Sequence, residues 1–544
     1  PKLIAALPWP KSMRWGQSGD FTWVRPLRRI LCLLDGEVVP LTLGPVTASN
    51  ETEGHRFMAP GAFTAASAAD WERKLRERHV IADAGERRRM ILEGLRAQAA
   101  ERGLSLAEDE ALLDEVTGLV EWPVPLTGRI EPRHMMLPPE VRELSMKVNQ
   151  RYFALRDAGG NPAPFFAFVA NIEAQDGGGA IIAGNERVLR ARLADAEHFW
   201  HQDRQHPLSE YLPRLRGVIF HAKLGTQYER AERIAALSRE IAEALGADGH
   251  EAQQAETAGR LAKADLVTGM VGEFPELQGV MGGYYADDPE VGAAIRTQYQ
   301  PKGPSDEVSH GIVPCAVALA DKIDTLREFF RIGEKPTGSG DPYALRRAAL
   351  GVIRIILENG LRLPLRPLLG TGEVLDFIIE RLRVKLRGEG KKFDVLNAVL
   401  DAAPDDNLTR VIARTEALAA FLETPDGGNL LTAYRRAANI LGIEDAKDGP
   451  HQGQPEAALF REKAETALAE ALRKLSPALA ARLAEEDFTG AMRELAGLRV
   501  PVDEFFSKVT VNAEQAELRQ NRLKLLVQLR DVMHQVADFS KIEG

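Results

Sequence analysis

The sequence predicts a mainly α-helical protein of several domains, with a mixed α/β region at its N-terminal end. Three observations support this fold class. The chain has 544 residues, which exceeds what a single hydrophobic core normally organises. Apolar residues recur at helical spacing over most of the chain after residue 186. Before that point, short apolar runs and proline-rich connections alternate with helical stretches.

The N-terminal region, residues 1–190, is predicted to mix strands and helices. Apolar runs at 29–34 and 38–43 flank the turn signal Asp35-Gly36, and this pattern is typical of a β-hairpin. Short apolar runs predict further strands here, whereas stretches rich in Ala, Glu, Arg and Leu predict helices. These elements are strands at 164–170 and 180–183, helical structure at 69–102 and an irregular, proline-rich connection at 120–140.

Beyond residue 190 the chain is predicted to be helical. Apolar residues follow the spacing of three and four that gives a helix one buried face, and Gly- or Pro-containing breakers separate the segments. Breaks near 190, 345 and 425 divide the chain into regions 1–190, 191–345, 346–425 and 426–544. The predicted helices include 252–272, 311–331, 343–360, 373–388, 393–402, 408–422, 429–441, 455–473, 476–485 and 515–538.

The net charge limits how the chain binds nucleic acid. The formal net charge is −10, whereas nonspecific nucleic-acid binders are usually basic. A local basic face can still bind RNA while the rest of the surface stays acidic. We therefore expect any nucleic-acid contact to come from a patch, and nonspecific RNA binding to be modest.

The cysteine content and the absence of long apolar runs bear on the compartment. Cys32 and Cys315 are the two cysteines, and they form neither a disulfide framework nor a zinc-ligand spacing, which suits a reducing cytoplasm. No run of 18 apolar residues occurs, so we expect no membrane span. The chain opens on Pro1 without a secretion signal, and we expect that a natural N-terminal segment is missing.

Signatures of nucleotide-using enzymes are absent or imperfect. No G-x-x-x-x-G-K-[ST] phosphate loop occurs, and the glycines at 177–179 precede a predicted strand, which favours a flexible turn. Phe330-Arg331 resembles the start of the Phe-Arg-x-Glu motif of class II aminoacyl-tRNA synthetases, but Glu334 comes one residue late. On a strand that slip turns the carboxylate to the opposite face, so we interpret the segment as a linker before a helix.

Polar residues on successive predicted helices suggest a metal site that has lost a ligand. His221, Asp265 and Asp324 resemble the spaced ligands of the HD superfamily of metal-dependent phosphohydrolases. In that superfamily a His precedes the Asp of a His-Asp dyad, but here Ala264 takes its place and Lys263 adds a positive charge. Because a metal needs its ligand count to be held, we expect an HD-like scaffold without a metal.

Long phrases in a fixed order carry a resemblance that spans nearly the whole chain. In the N-terminal region they are LPWPKSMRWG at 7–16, GHRF at 54–57, VANIE at 169–173 and GNERVLRARLADA at 184–196. In the helical part they are FHAKLGT at 220–226, KADLVT at 263–268, EFPELQG at 273–279, ADKIDTL at 320–326, DPYALRR at 341–347, RAANIL at 436–441 and NRL at 521–523. On these phrases the sequence resembles the β-subunit family of the bacterial-type heterotetrameric glycyl-tRNA synthetase.

The resemblance implies an enzyme built from two kinds of subunit, with two copies of each. The smaller α subunit would carry the class II site for glycine, ATP and magnesium. This chain is then expected to hold no aminoacylation site and no cofactor of its own. It would bind tRNA(Gly) and support the ATP-dependent attachment of glycine by the α subunit. The expected partners are thus the α subunit, in an α2β2 tetramer, and tRNA(Gly).

The resemblance also assigns folds to three of the predicted regions. Residues 191–345 would form a degenerate HD-like helical domain, in which His221, Asp265 and Asp324 are relics of metal-ligand positions. Residues 346–425 would form a helical body. Residues 426–544 would form an all-α anticodon-binding domain of the kind shared with arginyl-tRNA synthetase, and 1–190 would remain mixed α/β.

The helix predicted at 429–441 carries the first candidates for tRNA contact. Its predicted buried stripe consists of Leu430, Leu431, Tyr434, Ala438 and Leu441, and Asn429 is a suitable N-cap. Arg435, Arg436 and Asn439 fall largely off that stripe and are predicted to face outward. Guanidinium and amide groups suit RNA loops, because they hydrogen-bond base edges and pair with phosphates.

The end of the chain provides further candidates by the same argument. Lys508 precedes the last predicted helix, on which Arg519, Asn521 and Arg522 are predicted to lie outside the apolar stripe. Charged residues on a helix often form only a solvated face, and that is the plain alternative for this set. Region 426–544 has 16 lysines and arginines and 19 acidic residues, a net charge of −3, so any tRNA contact must come from a patch.

The stretch from 381 to 392 is the most cationic part of the chain. Arg383, Arg387 and Lys391 are its candidates for contact with the tRNA backbone. Two other functions stay open on the sequence: a metal-dependent HD-type phosphohydrolase, and a noncatalytic RNA-binding scaffold. Metal-dependent phosphate release would favour the first of these, and failure to co-purify with an α subunit would favour the second.

Overall fold

Helices occupy most of the chain in the computed structural model, which describes residues 2–15, 21–390 and 393–542. The predicted mainly α class is therefore confirmed. Two compact units are distinct, Pro1–Gln205 and His206–Gly544. Within the described ranges, the strands lie in the first unit, except for one two-stranded hairpin in the second.

The first unit alternates short strands with helices, as the mixed pattern predicts. Its strands are β1 (Met13–Trp15), β2 (Phe21–Trp23), β3 (Ile30–Leu31), β4 (Leu33–Leu34), β5 (Glu37–Val38), β6 (Thr42–Leu43), β7 (Val46–Ser49), β8 (Glu51–Glu53), β9 (Ala62–Thr64), β10 (Ser105–Leu106), β11 (Val124–Arg129), β12 (Phe153–Arg156) and β13 (Pro162–Ala170). Its helices are α1 (Lys2–Ala5), α2 (Ala68–Glu77), α3 (Ala84–Ala100), α4 (Glu110–Thr117), α5 (Pro139–Ser145) and α6 (Gly179–Asp203).

The main sheet of this unit has four antiparallel strands in the order β10-β12-β13-β11. Its longest pairing runs from Val124 opposite Ala170 to Arg129 opposite Phe165. Helix α3 packs against this sheet, because its apolar positions recur at helical spacing and meet the apolar residues of alternate strand positions. The resulting cluster includes Ile91, Leu95, Ala99, Leu112, Leu113, Phe153, Leu155 and Ala167.

Two local predictions for the first unit have opposite outcomes. The hairpin is confirmed only next to its turn, where β4 pairs with β5 across Asp35-Gly36, because β3 and β6 pair with β7 instead of with each other. The strand predicted at 180–183 is wrong: these residues lie in the first turns of α6. The Asp176 carboxylate accepts hydrogen bonds from the backbone N–H groups of Gly178 and Ala180, at 3.0 and 2.7 Å, and so starts the helix. A short apolar run does not separate a strand from a helix by periodicity alone.

The second unit is built from helices joined by short loops. Its hairpin consists of β14 (Ile219–His221) and β15 (Gly225–Thr226). Its helices are α7 (Gln227–Ala244), α8 (Gly249–Leu261), α9 (Gly269–Glu273), α10 (Val280–Tyr285), α11 (Pro289–Thr297), α12 (Ile312–Arg331), α13 (Leu345–Glu358), α14 (Arg366–Leu369), α15 (Gly372–Gly388), α16 (Phe393–Ala402), α17 (Leu408–Leu422), α18 (Pro425–Asp448), α19 (Lys463–Ala484), α20 (Phe488–Ala496), α21 (Arg499–Lys508) and α22 (Ala516–His534).

Helix α12 is the central element of the region predicted to resemble an HD domain. It packs against α7, α8, α11 and α13, and most of its residues are buried. A helix enclosed on so many sides normally carries apolar residues all round. Helix α12 nevertheless buries Asp321, Lys322 and Asp324, which requires that each of these charges has a partner.

The C-terminal helices share one apolar core, to which α18, α19, α20, α21 and α22 all contribute. Two predictions about these helices are wrong. Helix α18 begins at Pro425 rather than after Gly428, and Thr424 caps it by accepting a hydrogen bond from Gly427 N–H, so Asn429 is not the N-cap. The break predicted between 473 and 476 is absent, because α19 continues through Pro477.

The predicted domain boundaries stay predictions, although their surroundings are defined. Residue 190 lies inside α6, whereas 345 and 425 are the first residues of α13 and α18. In the part of the chain that the structure describes, no helix combines the length and apolar character needed to cross a bilayer.

Candidate nucleic-acid interface

Asp324, one of the three positions that resemble HD metal ligands, belongs to an internal charge network with Asp321. Arg230 on α7 donates to Asp321 Oδ1 at 2.9 Å, and Lys263 Nζ lies 2.7 Å from the same oxygen. Arg233 donates through Nε to Asp324 Oδ1 at 2.6 Å. Three protein cations thus neutralise the two aspartates of α12, in the place where a metal ion would need their oxygens.

Burial sets the protonation behaviour of this network. Burial lowers the pKa of Lys263 to about 8, against the opposing pull of Asp321. Burial also raises the pKa of Asp321, but the charges of Lys263 and Arg230 outweigh it and bring that pKa to about 2. The carboxylate of Asp321 is therefore ionised and held between two cations at neutral pH.

Asp265 and His221 are occupied by other partners. Asp265 Oδ2 accepts hydrogen bonds from the N–H groups of Gly279 and Gly282, at 2.6 and 3.0 Å. Burial raises the pKa of Asp265 to about 6, although these two hydrogen bonds oppose the rise. His221 Nδ1 accepts from Lys223 N–H at 3.2 Å, and its Nε2 lies 3.3 Å from the hydroxyl oxygen of Tyr343.

A divalent metal does not fit these residues. Over the described residues, no group of three or more His, Cys, Asp or Glu side chains is arranged to hold an ion. The acidic oxygens of Asp321 and Asp324 already bind guanidinium and ammonium groups, and added positive charge there would be repelled. The positive charges of Lys263, Arg230 and Arg233 thus neutralise the carboxylates that a metal ion would need.

The basic stretch after residue 380 is tied to neighbouring residues. Arg383 donates through Nε to Asn397 Oδ1 at 2.7 Å, and Arg387 lies 4.3 Å above the ring of Phe393. Both contacts join α15 to α16. Lys391 lies outside the described residues. Arg387 stays exposed and can still meet a phosphate, whereas Arg383 is half-buried.

The candidates on α18 differ in how available they are. Arg435 donates to the backbone carbonyl of Ile542 at 2.6 Å and helps to fasten the end of the chain. Arg436 is exposed, and its guanidinium lies 4.6 Å from the centre of the Phe506 ring on α21. Asn439, one helical turn further along α18, is also exposed. Lys508 at the end of α21 is exposed, 3.7 Å from Glu504.

The candidates on α22 are mostly structural. The prediction that Asn521 and Arg522 lie on an outer face is wrong, because their residues are only 2% and 7% exposed. Asn521 bonds to Glu456 twice, accepting from its N–H at 2.6 Å and donating to its C=O at 3.1 Å. Arg522 donates to Glu465 Oε1 and to the carbonyl of Thr510, each at 2.8 Å.

Arg519 is held in the same way at the start of α22. Its guanidinium pairs with Asp448 at 2.6 Å and with the buried carboxylate of Glu444. The hydrogen bonds from Lys447 and then Arg519 lower the pKa of Glu444 to about 2. Of the candidates in this domain, Arg436, Asn439 and Lys508 therefore remain as an exposed set, which we call the α18/α21 face.

The same region contains a pocket that none of the predicted site residues lines. It has a volume of about 680 Å³ and lies between α19, α22 and the segment before α19. Two segments that are far apart in sequence line it, 454–477 and 528–535, so a local sequence motif could not predict it. Glu470, Arg473, Gln528 and Asp531 provide polar groups at its wall.

Comparison with known proteins decides the family. Residues 1–401 match the family described as glycyl-tRNA synthetase beta subunit, which is well over half of the chain. The chain belongs to the glycyl-tRNA synthetase β-subunit family. Residues 430–543 match a second family, described as the DALR anticodon binding domain.

Curated relatives agree with this family. The glycine–tRNA ligase beta subunit of Phenylobacterium zucineum strain HLK1 is 53% identical over 548 residues, covering 100% of this chain and 82% of the relative. Those of Rhodospirillum centenum and Paracoccus denitrificans are 52% and 47% identical and cover 99% and 100% of this chain. Each relative is matched over 82% of its own length.

Membership of the glycyl-tRNA synthetase β-subunit family confirms the resemblance carried by the sequence phrases. It also confirms the assignment to aminoacyl-tRNA ligases and the anticodon-binding domain at the C-terminal end. The DALR match contains α19, α20, α21 and α22 and most of α18, which are the helices that share one core. The α18/α21 face and the pocket both lie within it.

Proposed function

We propose that this chain binds tRNA(Gly) and thereby supports the attachment of glycine by a separate α subunit. One observation carries the proposal: a β-subunit match over 1–401 is joined to an anticodon-binding match over 430–543 in the same chain. The relatives bear the name glycine–tRNA ligase beta subunit, and a β subunit presupposes an α partner. We propose an α2β2 assembly, as the family resemblance implies.

The α18/α21 face is the proposed contact surface for RNA. One face of the Arg436 guanidinium lies against the Phe506 ring, so the opposite face and the N–H groups stay available to a base or a phosphate. Asn439 adds a carboxamide one turn away, and Lys508 adds a mobile positive charge. Arg387 and Lys391 stay proposed as backbone contacts, whereas the buried Asn521 and Arg522 are left out.

ATP, magnesium and glycine are assigned by this proposal to the α subunit, and no cofactor to this chain. The near-match to a class II motif supports that assignment, because Phe330 and Arg331 end helix α12 instead of lying in an antiparallel sheet. The glycines at 338–340 form a turn that Arg346 closes, donating to the carbonyl of Gly338 at 2.6 Å. These residues serve the connection between α12 and α13.

A phosphohydrolase activity is not favoured. Such an enzyme would need Asp265 and Asp324 free to bind a metal, but Arg233 binds both oxygens of Asp324, and backbone N–H groups bind Oδ2 of Asp265. A scaffold with no synthetase partner is disfavoured by the β-subunit match over 1–401. We infer a reducing cytoplasm from Cys32 and Cys315, which are both free thiols.

The test separates tRNA binding from amino-acid activation. The purified chain should bind a tRNA(Gly) transcript in filter-binding or fluorescence assays. It should catalyse no glycine-dependent exchange between ATP and pyrophosphate until a purified α subunit is added. Adenylate formation by this chain alone, or no binding of tRNA(Gly), would refute the proposal. A pull-down with tagged α subunit tests the partnership independently.

A further inference from the structure

The pocket of the C-terminal domain is open at its mouth and apolar at its base. Leu472 and Val532, from α19 and α22, are buried side chains at its base. Phe460, in the segment before α19, lines the same cavity and is half-buried against the core. An aromatic ring beside an apolar floor is the surface on which an unstacked nucleobase packs.

Two charged side chains at the wall are not used by the fold. Glu470 and Arg473 lie three residues apart on α19, which places them on one face of the helix, and both are exposed. Within the described residues, neither side chain has an ion-pair or hydrogen-bond partner. This distinguishes them from Arg519 and Arg522 in the same domain, whose guanidinium groups are bound by acidic residues.

The opposite wall carries amide and acidic groups from α22. Gln528 donates to Gln454 Oε1, and Gln535 Nε2 donates to Ser476 Oγ at 3.0 Å. Each of these α22 carboxamides keeps a carbonyl oxygen that can accept a further hydrogen bond. Among the residues that the structure describes, Asp531, between them, pairs only with its exposed neighbour Arg530, at 3.1 Å. The wall is therefore rich in hydrogen-bond acceptors.

Pro477 lines the pocket inside helix α19. Because proline has no N–H, the carbonyl of Arg473 cannot receive the helical hydrogen bond from position 477. A proline in a helix interior normally costs about 3 kcal/mol relative to alanine. Pro477 lies one turn after Arg473, so the carbonyl that lacks its helical hydrogen bond lies at the pocket wall.

We propose that this pocket receives one unstacked tRNA base that bears an exocyclic amine, which is adenine, cytosine or guanine. Glu470 and Asp531 accept hydrogen bonds from the amine, as carboxylates do in base recognition. Phe460 packs against the base, and Arg473 contacts the adjacent phosphate. The proposal rests on the proposed function, since it names the part of the tRNA-binding domain that discriminates among bases.

The first experiment compares single substitutions in the full-length chain. Arg473→Ala and Glu470→Gln should each weaken binding of a tRNA(Gly) transcript about tenfold, the effect of losing one base or phosphate contact. Lys474→Ala is the matched control, because Lys474 is the exposed neighbour of Arg473 and does not line the pocket. It should change the affinity less than twofold. Thermal unfolding should be unchanged in all three variants.

A second experiment identifies the base. Each unpaired cytidine of the anticodon loop is replaced by uridine, each guanosine by inosine and each adenosine by purine riboside, which removes the exocyclic amine. One replacement should weaken binding to the unmodified chain about tenfold and have no further effect in the Glu470→Gln variant. If no replacement behaves in this way, amine recognition in the pocket is wrong.

The outcomes separate this proposal from the function on which it rests. If the unmodified chain binds tRNA(Gly) but Arg473→Ala and Glu470→Gln bind as tightly as Lys474→Ala, only the pocket proposal is overturned. If the unmodified chain binds no tRNA(Gly), the proposed function itself fails.

Discussion

Arg522 and Arg436 lie in the same domain, yet their guanidinium groups have opposite surroundings. Arg522 is enclosed and bound to Glu465 and to a backbone carbonyl. Arg436 is exposed and lies over the Phe506 ring, with its outer face unobstructed. A buried charge that loses its partner is costly, whereas an exposed arginine contributes little to folding. The two residues should therefore respond oppositely to substitution.

Arg522→Met should destabilise the chain without altering how the folded protein binds tRNA. The substitution leaves the buried Glu465 carboxylate without its cation, and we expect a loss of about 3 kcal/mol in the free energy of unfolding. Urea unfolding followed by circular dichroism measures this loss. Titration with tRNA(Gly) in the absence of urea should give the affinity of the unmodified chain.

Arg436→Met is expected to have the reverse effect. The free energy of unfolding should stay within about 0.5 kcal/mol, because the side chain is exposed and forms no ion pair with an acidic residue in the described part of the chain. Affinity for tRNA(Gly) should fall about fivefold to tenfold, as the loss of one stacking or phosphate contact requires. Stability loss with unchanged affinity would contradict the α18/α21 face.

The sequence could predict which residues are polar but not which become buried. Arg436 and Arg522 both fall off an apolar stripe, and no local pattern separates them. The difference arises because α22 packs against α18 and α19 and beside the segment at 454–460, so it has little free surface. Burial of Asn521 is likewise set by Glu456, which is distant in sequence.

Lys263→Met tests whether the charge network has replaced a metal site. The ammonium group is fully buried and joins Asp321 to the Gln298 side chain. We expect a loss of about 3 kcal/mol, because Asp321 then loses one of the two cations that lie within 3 Å of its Oδ1. Amide hydrogen exchange in α7 and α12 should speed up roughly 100-fold, the equivalent of that loss, and exchange in α18 should not change.

An exposed lysine of the same region serves as the control for that substitution. Lys302→Met removes one positive charge but no buried partner, so exchange in α7 and α12 should stay as it is. If both variants speed up exchange equally, the effect comes from the change in net charge, and the buried network does not specifically stabilise these helices. Restoration of stability by added divalent metal in Lys263→Met would show that the metal site survives beneath the lysine.

At the scale of elements, the pattern of apolar residues predicted helix positions better than helix ends. Helices α12, α15, α16 and α17 begin and end within about one residue of prediction, because breakers flank them on both sides. Helix α18 begins four residues early, since Thr424 and Pro425 form a better start than Asn429 and two glycines do not stop it. Helix α19 runs through Pro477 because its apolar side packs on the domain core.

The contact between α18 and α22 depends on Glu444 and should be sensitive to acid. Hydrogen bonds from Lys447 and Arg519 lower its pKa from 4.5 to about 2. The carboxylate therefore stabilises the fold at pH values above about 4.5, and this contribution is lost as the pH falls towards 2. Glu444→Gln should be less stable than the unmodified chain at pH 7, and the difference should shrink below pH 4.5.

Urea midpoints measured at pH 7, 4.5 and 3 provide that comparison. Glu504→Gln is the matched control, because Glu504 lies 3.7 Å from Lys508 at the surface and is not buried. It should shift the midpoints little at any of these pH values. A constant difference between Glu444→Gln and the unmodified chain from pH 7 to pH 3 would mean that the carboxylate is not the element that couples the helices.

At the scale of the whole molecule, the sequence predicted the helical class and the family but not the internal architecture of its sites. Phrases such as ADKIDTL at 320–326 are recognisable locally, yet the network they form depends on Arg230 and Lys263 from other helices. The C-terminal pocket depends on residues brought together from 454 to 535. Residues that are distant in sequence meet at these sites only in the tertiary structure, and composition and periodicity do not predict which residues will meet.

The acidic character of the molecule makes a last prediction about salt. A chain of net charge −10 attracts RNA weakly as a whole, so the steepness of its salt dependence should report the few cations that touch phosphate. Replacing Arg436 and Lys508 together by methionine should make the slope of log affinity against log salt shallower by about 2, at nearly 1 per phosphate contact. Titrations with tRNA(Gly) between 50 and 200 mM salt, a range chosen for its large effect on phosphate contacts, measure the slope.

The decisive control removes the same charge from a different surface. Lys474 and Arg493 are exposed cations of the same domain that lie outside the α18/α21 face. Their joint replacement by methionine changes the net charge by the same amount and should leave the slope within error of the unmodified chain. Equal loss of slope in both double variants would mean that overall charge governs tRNA binding, and the patch would have no role. If the slope becomes shallower only when Arg436 and Lys508 are replaced, this acidic protein binds tRNA through a local surface.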